Sequence, residues 1–169
     1  MDEAGTYSGS AFIVAKSPFQ IRIMWNTKPY KSLMKSNGPA LIRASHRVAH
    51  QTARSMEEQG HKGYTSGPKT GRIYHRTNPT RVHRASAPGQ APASDLGDLA
   101  RGIRVEDRVF ATRVRIRIFN TQWYAWLLEF GHGPILPRPL WRGIWARGEQ
   151  RLIAGLRHEM RRIARRSRR

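Results

Sequence analysis

The stretch Arg113-Val114-Arg115-Ile116-Arg117-Ile118 alternates basic and apolar residues one by one. Successive side chains of a β-strand point to opposite faces, so a period of two predicts a strand. Val114, Ile116 and Ile118 then form its packed face, and Arg113, Arg115 and Arg117 form an arginine row on the other. The preceding stretch repeats the pattern, with Ile103, Val105 and Asp107 alternating with Arg104, Glu106 and Arg108. Two strands of one small sheet are expected, packed on one side.

Working outward, helical spacing takes over on both flanks. Pro39 suits the first position of a helix, because it has no N–H to leave unpaired there. That helix is expected to run to about Glu58, with Gly60 as its cap. Leu41, Ser45, Val48, Thr52 and Met56 share one face, flanked by Ala49 and Ala53. The small residues predict a core face that a neighbour approaches closely. At the other end a long helix is expected from about Leu140, with Trp141, Ile144, Trp145, Leu152, Leu156, Met160 and Ile163 on its apolar side. Thr121 to Phe130 reads as a short aromatic helix, stopped by Gly131. Ser94 and Asp95 read as the cap of another short helix, which carries Leu96, Leu99 and Ala100. Residues 11–25 read as a hairpin and 26–37 as a loop. The stretch 60–95 is rich in Gly and Pro, and within it Arg72 to Arg76 suits a short strand.

The expected class is α+β: a small antiparallel sheet packed against a helix in the N-terminal half and a C-terminal helix, with a long extended loop arm. Residues 1–10 are expected to be a flexible arm, 11–160 a single domain containing the loop arm 60–95, and 161–169 a basic tail.

Composition narrows the function. Lys and Arg number 31 against 11 Asp and Glu in 169 residues, a formal net charge of +20. Solubility needs far less charge than this, so the excess points to a polyanion or an acidic partner. There is no cysteine, which removes disulfides and thiolate metal sites. The acidic start Met1-Asp2-Glu3 does not suit a standard secretory signal, and no apolar run is long enough to span a bilayer. No membrane partner is expected.

Catalytic patterns are missing from the sequence. No glycine loop suited to phosphate is present. His46 and His50 have the i, i+4 spacing of helical metal ligands, but the sequence offers no third ligand beside them, and they read as solvated. His75 and His83 lie among arginines, yet a nuclease would also need clustered carboxylates. Glu129, set among Trp126, Leu128 and Phe130, has no acid–base partner and is expected to bond an arginine or a backbone N–H near Gly131. No catalytic, cofactor or metal site is expected.

Two blocks carry a resemblance. The first runs from Arg84 through Ala85-Ser86-Ala87-Pro88-Gly89-Gln90-Ala91-Pro92-Ala93 to Asp95-Leu96-Gly97-Asp98-Leu99. The second is Trp123-Tyr124-Ala125-Trp126-Leu127-Leu128-Glu129-Phe130-Gly131, followed by Pro137-Arg138-Pro139-Leu140. Together they resemble the small neck, tail-completion or head–tail joining proteins of long-tailed bacteriophages. In that family an ASAPGxxPAxDTGxL loop precedes the strands, and a YAxxxEFGT helix leads through an RPF turn into a final helix. Leu96, His132 and Leu140 depart from that pattern.

The resemblance implies a non-enzymatic virion protein without cofactors. It would form a homo-oligomeric ring, expected as a hexamer, that joins the capsid connector to the tail around the DNA channel. Its partners would be adjoining neck, tail-terminator or tail-tube rings and the genomic double-stranded DNA. Its place would be the head–tail junction, and the host cytoplasm during assembly. The residues expected at ring contacts are Arg84, Pro88, Gly89, Pro92, Asp95, Leu99, Tyr124, Glu129, Phe130, Gly131 and Pro139. Those expected to meet DNA or an acidic partner are Arg113, Arg115, Arg117, Arg161, Arg162, Arg165 and Arg166. The alternative is a free-standing basic protein that binds nucleic acid without sequence specificity. It explains the charge but not the two blocks.

Overall fold

A computed structural model describes residues 11–14, 22–25, 31–78, 80–111 and 113–166. The fold is α+β, with helices α1 (Lys31–Ser66), α2 (Asp98–Arg101), α3 (Ala125–Phe130) and α4 (Trp141–Arg166) among the described residues. The strands pair two by two. β1 (Ala11–Val14) lies antiparallel to β2 (Arg22–Trp25), and β3 (Ile73–Thr77) lies antiparallel to β4 (Thr80–Arg84). β5 (Ile103–Val109) pairs with β6 (Val114–Asn120), and the turn between them is closed by Phe110 N–H donating to the Arg113 carbonyl at 2.8 Å. The expected turn of the first hairpin, at Lys16 to Pro18, and the arm 1–10 lie outside the described residues.

The described residues fall into two compact units. One comprises those between 11 and 54, 105–118 and 148–166; the other comprises those in 55–104 and 119–147. Both long helices and the β5–β6 hairpin contribute to each.

In the first unit, the alternation of β6 is realised as expected, with Val114, Ile116 and Ile118 buried. Leu41, Ala44, Ser45, Ala49, Thr52 and Ala53 of α1 are also buried, as are Leu152, Leu156 and Ile163 of α4. The two helices approach closely. A Cβ added at Gly155 would lie 2.6 Å from Val48 Cγ1, so this crossing tolerates no side chain there. The small-residue face read from the sequence is the core face, and α4 is the element that comes close to it.

The helix α1 differs from expectation mainly at its C-terminal end. A short helical stretch from Lys31, within the expected loop, is broken at Asn37, whose φ of −132° and ψ of 16° are not helical, and the main helix begins after that break, by Pro39 as expected. Pro39 lacks the N–H that would continue the ladder and its ring crowds the carbonyl four residues back, so it sits just after that break. The helix also passes through Gly60 and ends at Ser66. In the second unit Gly60 serves packing and not capping: a Cβ there would meet Trp141 Cη2 at 2.8 Å and Ile103 Cδ1 at 3.0 Å. Met56, Tyr64, Leu99, Ile103, Ala125, Trp141 and Ile144 are buried in this unit.

The stretch 60–95 is more ordered than a loop arm. Its start is helical, and its middle is the β3–β4 hairpin, in register from Ile73–Arg84 to Thr77–Thr80. The hairpin is exposed at eight of its ten positions.

Candidate assembly and polyanion interface

The first resemblance block is fastened to its own chain. Gly71 N–H donates to the Ala85 carbonyl at 2.9 Å, and Ala85 N–H to the Arg72 carbonyl at 3.0 Å. Ser86 and Pro92 are buried, and Ser94 N–H donates to the Tyr64 carbonyl at 3.2 Å. Gly89, with a φ of 79°, adopts a conformation that glycine reaches without strain. Pro88 and Gly89 remain exposed.

The two blocks also meet. Gly89 N–H donates to the Pro137 carbonyl at 2.9 Å, and Arg138 Nε donates to the Ser86 carbonyl at 3.2 Å. Residues some fifty positions apart are thereby held together by backbone carbonyls, a constraint on both turns that neither block reveals alone.

Glu129 is the keystone of the second block. It is 5% exposed, and its carboxylate accepts three backbone N–H bonds, from Leu140 at 2.8 Å, Trp141 at 3.1 Å and Arg142 at 3.0 Å. These are the unpaired donors of the first turn of α4, and a negative charge at a helix N-terminus also complements the helix dipole. The expected partner was an arginine or a backbone N–H near Gly131; the donors are backbone N–H groups, at the start of α4. Gly131 does end α3 at positive φ (75°), though its ψ of 156° is extended and not left-handed helical. A Cβ there would lie 2.8 Å from the Ile135 carbonyl oxygen. Pro139 lies just before α4 and not in its first turn.

With Glu129 turned inward, α3 presents its largest aromatic residues to solvent. Ala125 and Glu129 are buried, whereas Trp126 and Phe130, also four residues apart, are exposed. Trp123 just before the helix is 74% exposed, and Leu136 beyond it is exposed too. Tyr124 is half-buried.

Asp95 does not cap α2, whose N-cap is Gly97, in the left-handed conformation and with no side-chain bond. It reaches instead to the hairpin. Arg76 and Arg81 are directly opposed across β3 and β4, a like-charge pair that is unfavourable on its own. Asp95 accepts a short hydrogen bond from Arg76 and lies 3.3 Å from Arg81 Nε and 3.4 Å from His83 Nδ1. The Arg76 hydrogen bond, aided by the His83 and Arg81 charges, holds the Asp95 carboxyl below the usual carboxylate value.

Of the expected ring contacts, Arg84, Pro88, Gly89, Phe130 and Pro139 are therefore exposed, whereas Pro92, Leu99 and Glu129 are internal to their own unit. Their burial reflects the packing of the second unit.

The arginine row is less open than the alternation implied. Arg113 and Arg115 lie over the Phe110 ring, at 4.5 and 5.9 Å from its centre. Arg117 lies 3.4 Å from Glu106. Glu106, Arg108, Arg115 and Arg117 line a shallow concavity with three guanidinium groups and one carboxylate. The C-terminal arginines extend α4 as helix through Arg166, so the described part of the basic tail is helical. Arg161, Arg165 and Arg166 are exposed, and Arg162 pairs with Glu159 at 2.7 Å. Glu159 also takes Arg47 of α1 at 3.0 Å.

One grouping escaped the sequence reading. Asp107 of β5 lies beside the two helical histidines, with Oδ2 2.5 Å from His46 Nε2 and 3.6 Å from His50 Nδ1. The hydrogen bond from His46, then the charges of His46 and His50, lower the Asp107 carboxyl. The signal was available, since His46 and His50 share a helix face and Asp107 shares a strand face with Ile103 and Val105. Which strand faces that part of the helix was not.

No helix among the described residues is long and apolar enough to cross a membrane. Comparison with protein-family models, characterised proteins and solved structures finds no match.

Proposed function

We propose that this chain is a structural subunit of a bacteriophage head–tail junction, a neck or tail-completion protein that assembles into a ring around the DNA channel. The observation that carries this reading is the joining of the two resemblance blocks through Gly89–Pro137 and Ser86–Arg138. Segments that resemble one family's motifs, and that also make a single structural unit in the chain, are better explained by common design than by chance turns. The outward aromatic face of α3 supports the same reading. Trp123, Trp126 and Phe130 are large apolar groups in water on an otherwise cationic protein, and a neighbouring subunit would cover them. The exposed arginines of α4 supply sequence-independent contacts to DNA phosphates or to an acidic ring.

Electron microscopy and mass measurement of the purified chain test the reading. A closed ring supports it. A monomer that shifts duplex DNA at low salt and never forms rings overturns it in favour of a free-standing nucleic-acid-binding protein.

A further inference from the structure

We propose that His46, His50 and Asp107 bind a divalent transition-metal ion of the zinc class, which would tie α1 to β5 within the first unit. Nothing in the assembly role requires such a site, and the inference stands apart from it.

The ligand set is chemically apt. Two imidazoles and one carboxylate suit zinc and its first-row neighbours and are poor in the all-oxygen character that calcium and magnesium prefer. The two histidines are one helical turn apart, so their rings share a face, with centroids 5.7 Å apart. The carboxylate arrives from a different element. The three candidate donor atoms all lie within 4.8 Å of one another.

The spacing is close to that of a loaded site. Ligands at about 2.1 Å from a common ion stand about 3.4 Å apart in tetrahedral geometry. His50 Nδ1 and Asp107 Oδ2, at 3.6 Å, already match. His46 Nε2 and Asp107 Oδ2, at 2.5 Å, must open by about 1 Å to admit the ion. Both side chains are about a third exposed and have room to turn. The His46 Nε2 proton leaves to solvent or moves to Nδ1, so that the nitrogen lone pair becomes the ligand.

A second observation points the same way. His50 Nδ1 is buried and has no hydrogen-bond partner, since 3.6 Å is beyond hydrogen-bonding range. A buried polar atom without a partner is unfavourable, and a metal bond would satisfy it. The net charge of +20 opposes any cation, but distant charges are screened over about 8 Å at physiological ionic strength, while Asp107 is in contact. Three protein ligands leave at least one coordination position for water or an outside group.

The test uses the full chain without a histidine tag, stripped with chelator and titrated with cobalt(II) and zinc(II). Visible absorption reads the first and calorimetry the second. One equivalent per chain is expected. His46→Gln, His50→Gln and Asp107→Asn should each weaken binding by about 100-fold, while His75→Gln, outside the site, leaves it unchanged. X-ray absorption of the zinc-loaded native chain should find two imidazoles and a carboxylate, a readout that needs no variant to fold. Absence of stoichiometric binding, binding that survives Asp107→Asn, or a zinc shell with fewer than two imidazoles would overturn the proposal and leave the group as a proton-shared His–Asp pair.

Discussion

Trp141 donates its indole N–H to the hydroxyl of Tyr64 at 2.9 Å, joining the first turn of α4 to the last turns of α1 inside the second unit. Both side chains are buried, and Tyr64 is only 1% exposed. Burial pushes the Tyr64 phenol up to about 12, with the negative charge of Glu129 adding to the effect and the Trp141 bond opposing it.

An alkaline transition follows. Below pH 10 the phenol is neutral in the folded and unfolded chains alike, and its contribution to stability is fully present. Between pH 10 and about 12 the unfolded chain ionises first, so stability falls by about 2–3 kcal/mol across that window. Denaturant melts at stepped pH check this. Tyr64→Phe should flatten the decline, at the expense of the hydrogen bond that Trp141 donates to the Tyr64 hydroxyl.

Replacing Glu129 should damage α4 more than its neighbours suggest. Glu129→Gln turns an amide NH2 toward backbone donors and is expected to lower stability by about 2 kcal/mol. Glu129→Ala leaves three N–H groups unmet and should lower it by about 3 kcal/mol or more. Thermal melts give the totals, and amide exchange at Leu140 to Arg142 should accelerate first. If those amides keep their protection, the capping role is wrong.

Asp95→Asn should loosen the hairpin while leaving the rest of its unit intact. Without the carboxylate, Arg76 and Arg81 face each other uncompensated. Amide exchange and tryptic cleavage at those arginines should increase selectively. Acid has the same effect on the native chain. The folded Asp95 titrates below its usual value of 3.8, so its hold is complete above that value and is lost as the pH falls through the lowered one.

Two glycines one turn apart on α1 should respond differently to alanine. The substitution ordinarily favours a helix by about 1 kcal/mol. At Gly60 the new methyl meets the rigid Trp141 ring at 2.8 Å, and overpacking of about 1–3 kcal/mol should outweigh the gain. At Gly63 it meets the end of the Leu140 side chain, which can rotate away, so the loss should be smaller. Urea melts of both variants decide it.

These contrasts also mark what the sequence could reveal. The period of two at Val114, Ile116 and Ile118 and the helical spacing of Leu152, Leu156 and Ile163 were legible because each is a local repeat. The true end of α1 was not, because glycine at position 60 is tolerated for the space it leaves to Trp141, a distant residue. The β3–β4 strands were only half visible: their faces are nearly all exposed, so burial imposes no alternation on them. Glu129 stood out as a carboxylate among aromatics, yet its partners lie across a turn whose geometry depends on Gly131. The Asp107 grouping needed a pairing of helix with strand that no local pattern encodes.

Association with DNA should be steeply salt-dependent. Each phosphate neutralised contributes about −0.9 to the slope of log K against log salt. Replacing Arg161, Arg165 and Arg166 with Gln should reduce the slope by up to about 3 if all three reach phosphates. Fluorescence anisotropy across a salt series measures it, and an unchanged slope would remove these residues from the interface.

At least six of the eleven acidic residues, Asp95, Asp98, Glu106, Asp107, Glu129 and Glu159, engage cationic side chains or backbone donors of their own chain. Few fixed anions are left to moderate the outward field. In solution the exterior must therefore draw its neutralisation from mobile counterions, and any polyanion that arrives displaces them as a group. The ordering of a neighbour would thus be accompanied by a gain in the freedom of small ions, a driving force set by where the carboxylates point as much as by how many arginines there are.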